Sequence, residues 1–147
     1  SFLILDFAEK CETNLKGGIV IETGGMKNEK KEISKEELYF DLKRKLHVDT
    51  ICSEYSMTEL MSQSYSLKDG EFTPPPWKKI LIRAQDNPLK ILIKENVTGG
   101  INIIDLANIH SCAFIATNDI GRRKKNYYNV LGRLHSSSIR GCNNMIS

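Results

Sequence analysis

The sequence predicts an α/β protein in two parts: a βαβ unit over residues 1–70, then a β-rich antiparallel part over 71–147. Three observations predict it. Two β-branched runs, Gly18-Ile19-Val20-Ile21-Glu22 and Thr50-Ile51-Cys52-Ser53, flank a stretch with helical spacing at Leu38, Leu42 and Leu46. After Tyr65 the composition shifts to prolines and turn dipeptides set between apolar runs. Within that second part Asp86-Asn87-Pro88 separates Lys79–Arg83 from Leu89–Ile93, a hairpin signature.

Phe2, Leu3, Leu5, Phe7, Ala8 and Cys11 predict an opening, largely buried helix, with Gly17-Gly18 as its stop. The following run reads as a parallel strand buried on both faces. Thr23-Gly24-Gly25 at its carboxyl end is either a wall of a ligand site, as at the strand ends of open α/β sheets, or an ordinary strand-to-loop turn. Lys27–Lys31 is a charged, solvated loop. Ser34-Lys35-Glu36-Glu37 is a capping box, which starts a helix whose apolar face is Leu38, Leu42 and Leu46. His47 closes it as a partner of the helix dipole. The strand at Thr50 completes the βαβ unit, whose crossover is expected to be right-handed. Leu60-Met61-Ser62-Gln63 then reads as the start of a further helix.

In the second part Asp69-Gly70 is a turn, and Pro74-Pro75-Pro76-Trp77 runs extended into a strand. Asn96-Val97-Thr98-Gly99-Gly100 is a turn, Ile101–Leu106 and Cys112–Thr117 are strands, and Tyr127–Leu131 is the last strand. Asn118-Asp119-Ile120-Gly121 reads as a tight turn after a strand. Arg122-Arg123-Lys124-Lys125 is a basic run for which a solvated hairpin tip outweighs a nucleic-acid patch.

The chain has 147 residues and a formal net charge of +3, too mild to indicate a nucleic-acid partner. Cysteines at Cys11, Cys52, Cys112 and Cys142 form no Cys-x-x-Cys, which argues against a zinc site or a disulfide framework. Free thiols suit a reducing cytosol, so a cytoplasmic location is expected. No apolar run is long enough to span a membrane. The chain opens inside an apolar run without an initiator Met, as expected of a piece of a longer protein.

Tyr55-Ser56-Met57-Thr58-Glu59 concentrates a flat ring, a hydroxyl and a carboxylate where a strand ends. Such a turn can present backbone N–H groups to an anion, with the ring for a base and the carboxylate for a divalent metal. The alternative is a capped helix start. Asp119 can accept from both hydroxyls of a ribose diol, or simply close a turn. Cys142 follows Arg140-Gly141; a nearby guanidinium favours the thiolate, whereas the alternative is a small buried filler, as Cys52 and Cys112 look within their strands.

Five segments, in order, resemble the bacterial acyl-protein synthetase (LuxE-type long-chain-fatty-acid–protein ligase) family within the adenylate-forming superfamily. They are Thr23-Gly24-Gly25-Met26-Lys27, Tyr55-Ser56-Met57-Thr58-Glu59-Leu60, Pro75-Pro76-Trp77, Thr117-Asn118-Asp119-Ile120-Gly121, and Leu131-Gly132-Arg133 followed by Ile139-Arg140-Gly141-Cys142. The resemblance implies that residues 1–70 are the second half of an α/β adenylate-forming subdomain, and that 71–147 are a β-rich subdomain running to a hinge-like end. It implies an enzyme that uses ATP and Mg²⁺ to convert a fatty acid or other carboxylic acid to acyl-AMP, then moves the acyl group onto a cysteine thiol and on to an acyl-reductase partner. By the same resemblance Gly24, Gly25 and Tyr55 line the adenine, Thr58 meets the α-phosphate, and Glu59 holds the metal. Asp119 and Arg133 hold the ribose, and Cys142 carries the acyl group. Ser138 stands where the family is expected to carry an Asp, and no segment matches the Ser/Thr/Gly-rich phosphate loop. A non-catalytic nucleotide-binding or interaction module derived from such a ligase is the alternative function.

Overall fold

A computed structural model describes residues 2–10, 13–23, 35–68 and 70–134. The first helix, α1, is Phe2–Lys10. It ends before Gly17, which instead makes the turn into the first strand at φ 80° with Gly18 N donating to Leu15 O at 2.8 Å. Strand β1 is Ile19–Thr23, helix α2 is Lys35–Leu46 and strand β2 is Thr50–Tyr55. Strands β1 and β2 are parallel, with Ile19 opposite Thr50 and Thr23 opposite Glu54, so α2 is the crossover of a βαβ unit.

Helix α2 follows from its sequence. Glu36 and Glu37 lie in its first turn and Lys43, Arg44 and Lys45 in its last, each complementing the helix dipole. His47 takes the left-handed conformation at φ 54° and ends the helix, and Leu15 N caps the free Leu46 carbonyl at 2.8 Å. The Leu38, Leu42 and Leu46 face is buried against Leu5, Ala8, Val20, Val48 and Ile51. Strand β1 departs from expectation. Only Val20 is buried, whereas Ile19 and Ile21 are 65% and 48% exposed, because the helices cover one face of β1 and no described residue covers the other.

A short strand, β3 (Ser64–Ser66), pairs antiparallel with β2 and completes a three-stranded sheet of order β1-β2-β3. The second sheet contains β4 (Lys78–Arg83), β5 (Ile91–Leu92), β6 (Thr98–Asp105), β7 (Phe114–Lys124) and β8 (Tyr127–Arg133). Its order is β5-β4-β6-β7-β8, antiparallel throughout. Its core is Leu60, Phe72, Ile80, Ile82, Ile101, Ile103 and Tyr128, flanked by Tyr55 and Met57. Single bridges from Tyr65 to Thr73 and from Phe72 to Tyr128 tie the sheets together.

Four further expectations are corrected. Residues 60–63 form no helix: the chain turns at Thr58 and Glu59, with Leu60 N on Met57 O at 3.0 Å, and returns as β3. The segment Asn118–Gly121 is not a turn but the middle of β7, because β8 supplies ladder partners from Arg133 opposite Asp119 to Tyr127 opposite Lys124. The hairpin tip is therefore Lys125-Asn126, not the whole basic run. Cys112 is an exposed thiol outside any strand, unlike buried Cys52. Leu42 is fully buried, so Leu42→Ala should lower unfolding free energy by about 2–5 kcal/mol. Urea unfolding followed by circular dichroism checks this; an unchanged midpoint would contradict the packing described.

Candidate functional site

Tyr55 is the last residue of β2, and its ring reaches into the core of the second sheet. Phe72 lies 5.9 Å away centroid to centroid, and Tyr128 meets it edge-on at 5.8 Å. The Lys78 ammonium stands over the ring, 5.7 Å from its centroid. The half-buried phenol donates to Asp119 Oδ2 at 2.7 Å. Burial, then the Asp119 carboxylate beside it, holds the Tyr55 hydroxyl well above the ordinary tyrosine range. The other oxygen, Oδ1, accepts from Arg133 Nε at 3.1 Å. Asp119 is 8% exposed, whereas the Arg133 side chain extends largely into solvent.

Three residues selected from the sequence, Tyr55, Asp119 and Arg133, thus meet through one carboxylate. A carboxylate offers about four acceptor positions, so this one has acceptor capacity left over. Thr58 and Glu59 are exposed on the turn and make no side-chain hydrogen bond or ion pair among the described residues. They are near Tyr55 in the chain but are not joined to its cluster. Gly24, Gly25 and Cys142 lie outside the described residues, as do Ser34, Ser138 and the segment Ile139–Gly141. Among the described residues no group of three His, Cys, Asp or Glu side chains is placed to hold a metal.

A set of residues that sequence reading missed holds the turn in place. Asn108, nearly fully buried, donates from Nδ2 to Glu59 O at 2.6 Å and accepts at Oδ1 from Met61 N at 2.8 Å. Asp105, fully buried, accepts from Ser62 N at 2.9 Å, Ser62 Oγ at 2.7 Å and Ala107 N at 3.1 Å. Trp77 Nε1 donates to Ser62 Oγ at 2.8 Å, and Lys78 Nζ to Ser62 O at 2.9 Å. Burial raises the Asp105 pKa, but the donors from Ser62 and Ala107 and the Lys78 charge outweigh it and leave the carboxyl below its ordinary value. These bonds spend backbone groups of residues 59–62 on side chains at the ends of β4 and β6 and in the loop after β6, which is why no helix forms there. The signal available in the sequence was Asp105-Leu106-Ala107-Asn108, two polar residues at the end of an apolar strand.

An open groove of about 640 Å³ lies elsewhere, between the C-terminal ends of α1 and α2, lined in part by Glu9, Lys10, Asn14, Arg44 and His47. It brings together none of the residues above.

No protein-family model and no curated protein matches the chain. Solved structures do match it. The o-succinylbenzoate CoA synthetase of Bacillus subtilis, in complex with a product analogue, gives a TM-score of 0.61 at 18% identity, covering 89% of this chain and 29% of that one. The McyG structure with phenylalanyl-adenylate gives 0.58 at 18% identity, covering 90% and 28%. The fatty acyl-adenylate ligases from E. coli and L. pneumophila give 0.57 at 17% identity, covering 86% and 32%. The chain shares its fold with one part of each of these structures, α/β with a βαβ unit and an antiparallel sheet, as the sequence predicted. The chain spans about a third or less of the length of these proteins.

Burial pulls the Lys78 ammonium down from 10.5 to about 8, only partly offset by Asp105. Between those values the unfolded chain holds a proton at Lys78 that the folded chain does not, so this group makes stability rise with pH across the window. Urea midpoints of wild type should therefore climb from about pH 7.5 to 9.5 relative to Lys78→Met, below the range where buried tyrosines contribute. Parallel curves for the two proteins would contradict the buried ammonium.

Proposed function

We propose that the chain is the nucleotide-holding part of an ATP-dependent acid-activating enzyme of the acyl-protein synthetase kind. The observation that carries this reading is the Asp119 carboxylate, anchored on one side by the Tyr55 phenol and on the other by Arg133, with acceptor capacity left over. In this reading Asp119 accepts from the ribose diol and Arg133 keeps it oriented. The Tyr55 ring, together with Gly24 and Gly25, lines the base. Thr58 donates to the α-phosphate.

The substrate carboxylate oxygen attacks the α-phosphorus of ATP, the bond to pyrophosphate breaks, and acyl-AMP forms. The Cys142 thiolate then attacks the acyl carbon and AMP leaves, storing the acyl group as a thioester for a reductase partner. Glu59 fits a Mg²⁺ ligand, since its carboxylate is exposed and makes no pairing among the described residues, and Mg²⁺ is commonly held by one or two carboxylates plus phosphates. When bound, the ion would neutralise phosphate charge.

A second reading, a non-catalytic nucleotide-binding module, is favoured by one observation: Tyr55, Asp119 and Arg133 meet, whereas Thr58 and Glu59 join none of them. Both readings require nucleotide binding. Asp119→Ala should weaken ATP binding by on the order of 1.5–3 kcal/mol, and 2′-deoxy-ATP should bind the wild type less well than ATP. Calorimetric titration checks both. Equal affinity for the two nucleotides, unaffected by the substitution, would remove Asp119 from a ribose site. In the full-length protein supplied with labelled fatty acid and ATP, Cys142→Ser should form acyl-AMP but hold no hydroxylamine-labile label. A wild-type protein that binds ATP but forms no acyl-AMP would favour the module.

A further inference from the structure

Arg83, the last residue of β4, is 7% exposed and has no acidic partner among the described residues. A buried guanidinium is normally paired with a carboxylate. Among the described residues it donates only to neutral oxygens: Nη1 to Ile101 O at 3.1 Å and to Asn102 Oδ1 at 3.0 Å, and Nη2 to Thr117 O at 2.8 Å. Those oxygens mark a break in the sheet. Gly100 pairs with Ile120 and Asn102 with Ala116, so Ile101 alone faces Thr117, Asn118 and Asp119 on β7. A bulge deprives backbone groups of their ladder partners. Here the Arg83 guanidinium, reaching from β4 across β6 to β7, takes over two of the carbonyls. Thr117 Oγ1 completes the set, donating to Ile101 O at 2.9 Å and accepting from Asp119 N at 3.1 Å.

The slot is shaped for this group. A Cβ on Gly100 would stand 2.3 Å from Arg83 Nη1 and 2.5 Å from Cζ, so only glycine leaves the guanidinium its place. A planar fork of fixed donors can satisfy acceptors on two strands at once, which a lysine ammonium at the end of a flexible stem cannot reproduce in the same geometry.

We propose that Arg83 is a positioning residue for the candidate site: its guanidinium holds the bulge of β7 in the one conformation that brings the Asp119 carboxylate against Tyr55 and Arg133. Its consequence for ligand binding rests on the reading of Asp119 as a nucleotide contact; its consequence for the Tyr55–Asp119 bond does not.

The test uses the whole chain and three variants, Arg83→Met, Arg83→Lys and Gly100→Ala. Gly100→Ala keeps every functional side chain and only evicts the guanidinium, so it carries the test, with Arg83→Lys, where Arg83→Met fails to fold. The first readout is the Tyr55 hydroxyl proton by NMR of tyrosine-labelled protein, with Asp119→Asn as reference for a disturbed bond. In folded variants that signal should move or vanish as in the reference, while circular dichroism keeps its β-sheet form. The second readout is ATP affinity, expected to fall about tenfold or more, as for Asp119→Ala, with no further loss when Arg83→Lys and Asp119→Ala are combined. A Tyr55 signal unchanged in folded Gly100→Ala or Arg83→Lys overturns the proposal, leaving Arg83 as a sheet fastener alone. Should the wild type bind no ATP, the nucleotide reading falls, and the Tyr55 signal still decides the role of Arg83.

Discussion

A phenol taken out of water needs an acceptor, and Tyr55 finds its acceptor on the other sheet. Tyr55 ends β2 of the parallel unit, whereas Asp119 lies within β7 of the antiparallel sheet, 64 residues further on. The bond between them fixes where the end of one sheet meets the face of the other. The aromatic packing of Tyr55, Phe72 and Tyr128 supplies the apolar burial that makes the bond necessary, since an unmade hydrogen bond there costs more than a made one gains. The bridge between Phe72 and Tyr128 repeats the same junction in backbone hydrogen bonds.

The antiparallel sheet therefore acts as a frame on which shorter, more irregular pieces of the first part are hung. The end of β6 supplies Asp105, the loop after it supplies Asn108, the start of β4 supplies Lys78, and all three grip the loop after Tyr55. Its β7 bulge presents Asp119. Thr58 and Glu59 stay exposed between two anchored points, Tyr55 before them and Leu60 to Ser62 after them. The backbone of this turn is held at Glu59 O by Asn108 Nδ2, while the Thr58 and Glu59 side chains stay exposed.

The parts of this architecture legible in the sequence are those set by local spacing. Leu38, Leu42 and Leu46 announced α2 because a 3.6-residue period puts them on one face. The turn residues Asp86-Asn87-Pro88 announced the β4–β5 hairpin, which the register of Ile82 with Leu92 displays. Errors arose where distant partners overrule local preference. Asn118-Asp119-Ile120-Gly121 has the composition of a turn, yet pairing with β8 keeps it extended, and the turn-like residues instead mark a bulge. Leu60–Gln63 lost its helix to side chains 43 to 49 residues away, which no local window contains. Tyr55, Asp119 and Arg133, whose side chains meet in the fold, were selected through a resemblance in motif order, whereas Arg83, Lys78, Asp105 and Asn108 were invisible to it. Their importance lies in where the fold takes them.

The central claim is that the Asp119 carboxylate, held by Tyr55 and Arg133, is the group that meets a nucleotide's ribose. Carbon NMR of chain labelled at the aspartate carboxyl carbons, titrated in parallel with AMP and 2′-deoxy-AMP, tests it most directly. The account predicts that AMP moves the Asp119 resonance at concentrations where 2′-deoxy-AMP leaves it nearly still. AMP binding that shifts other signals of the protein but not that of Asp119 would contradict it.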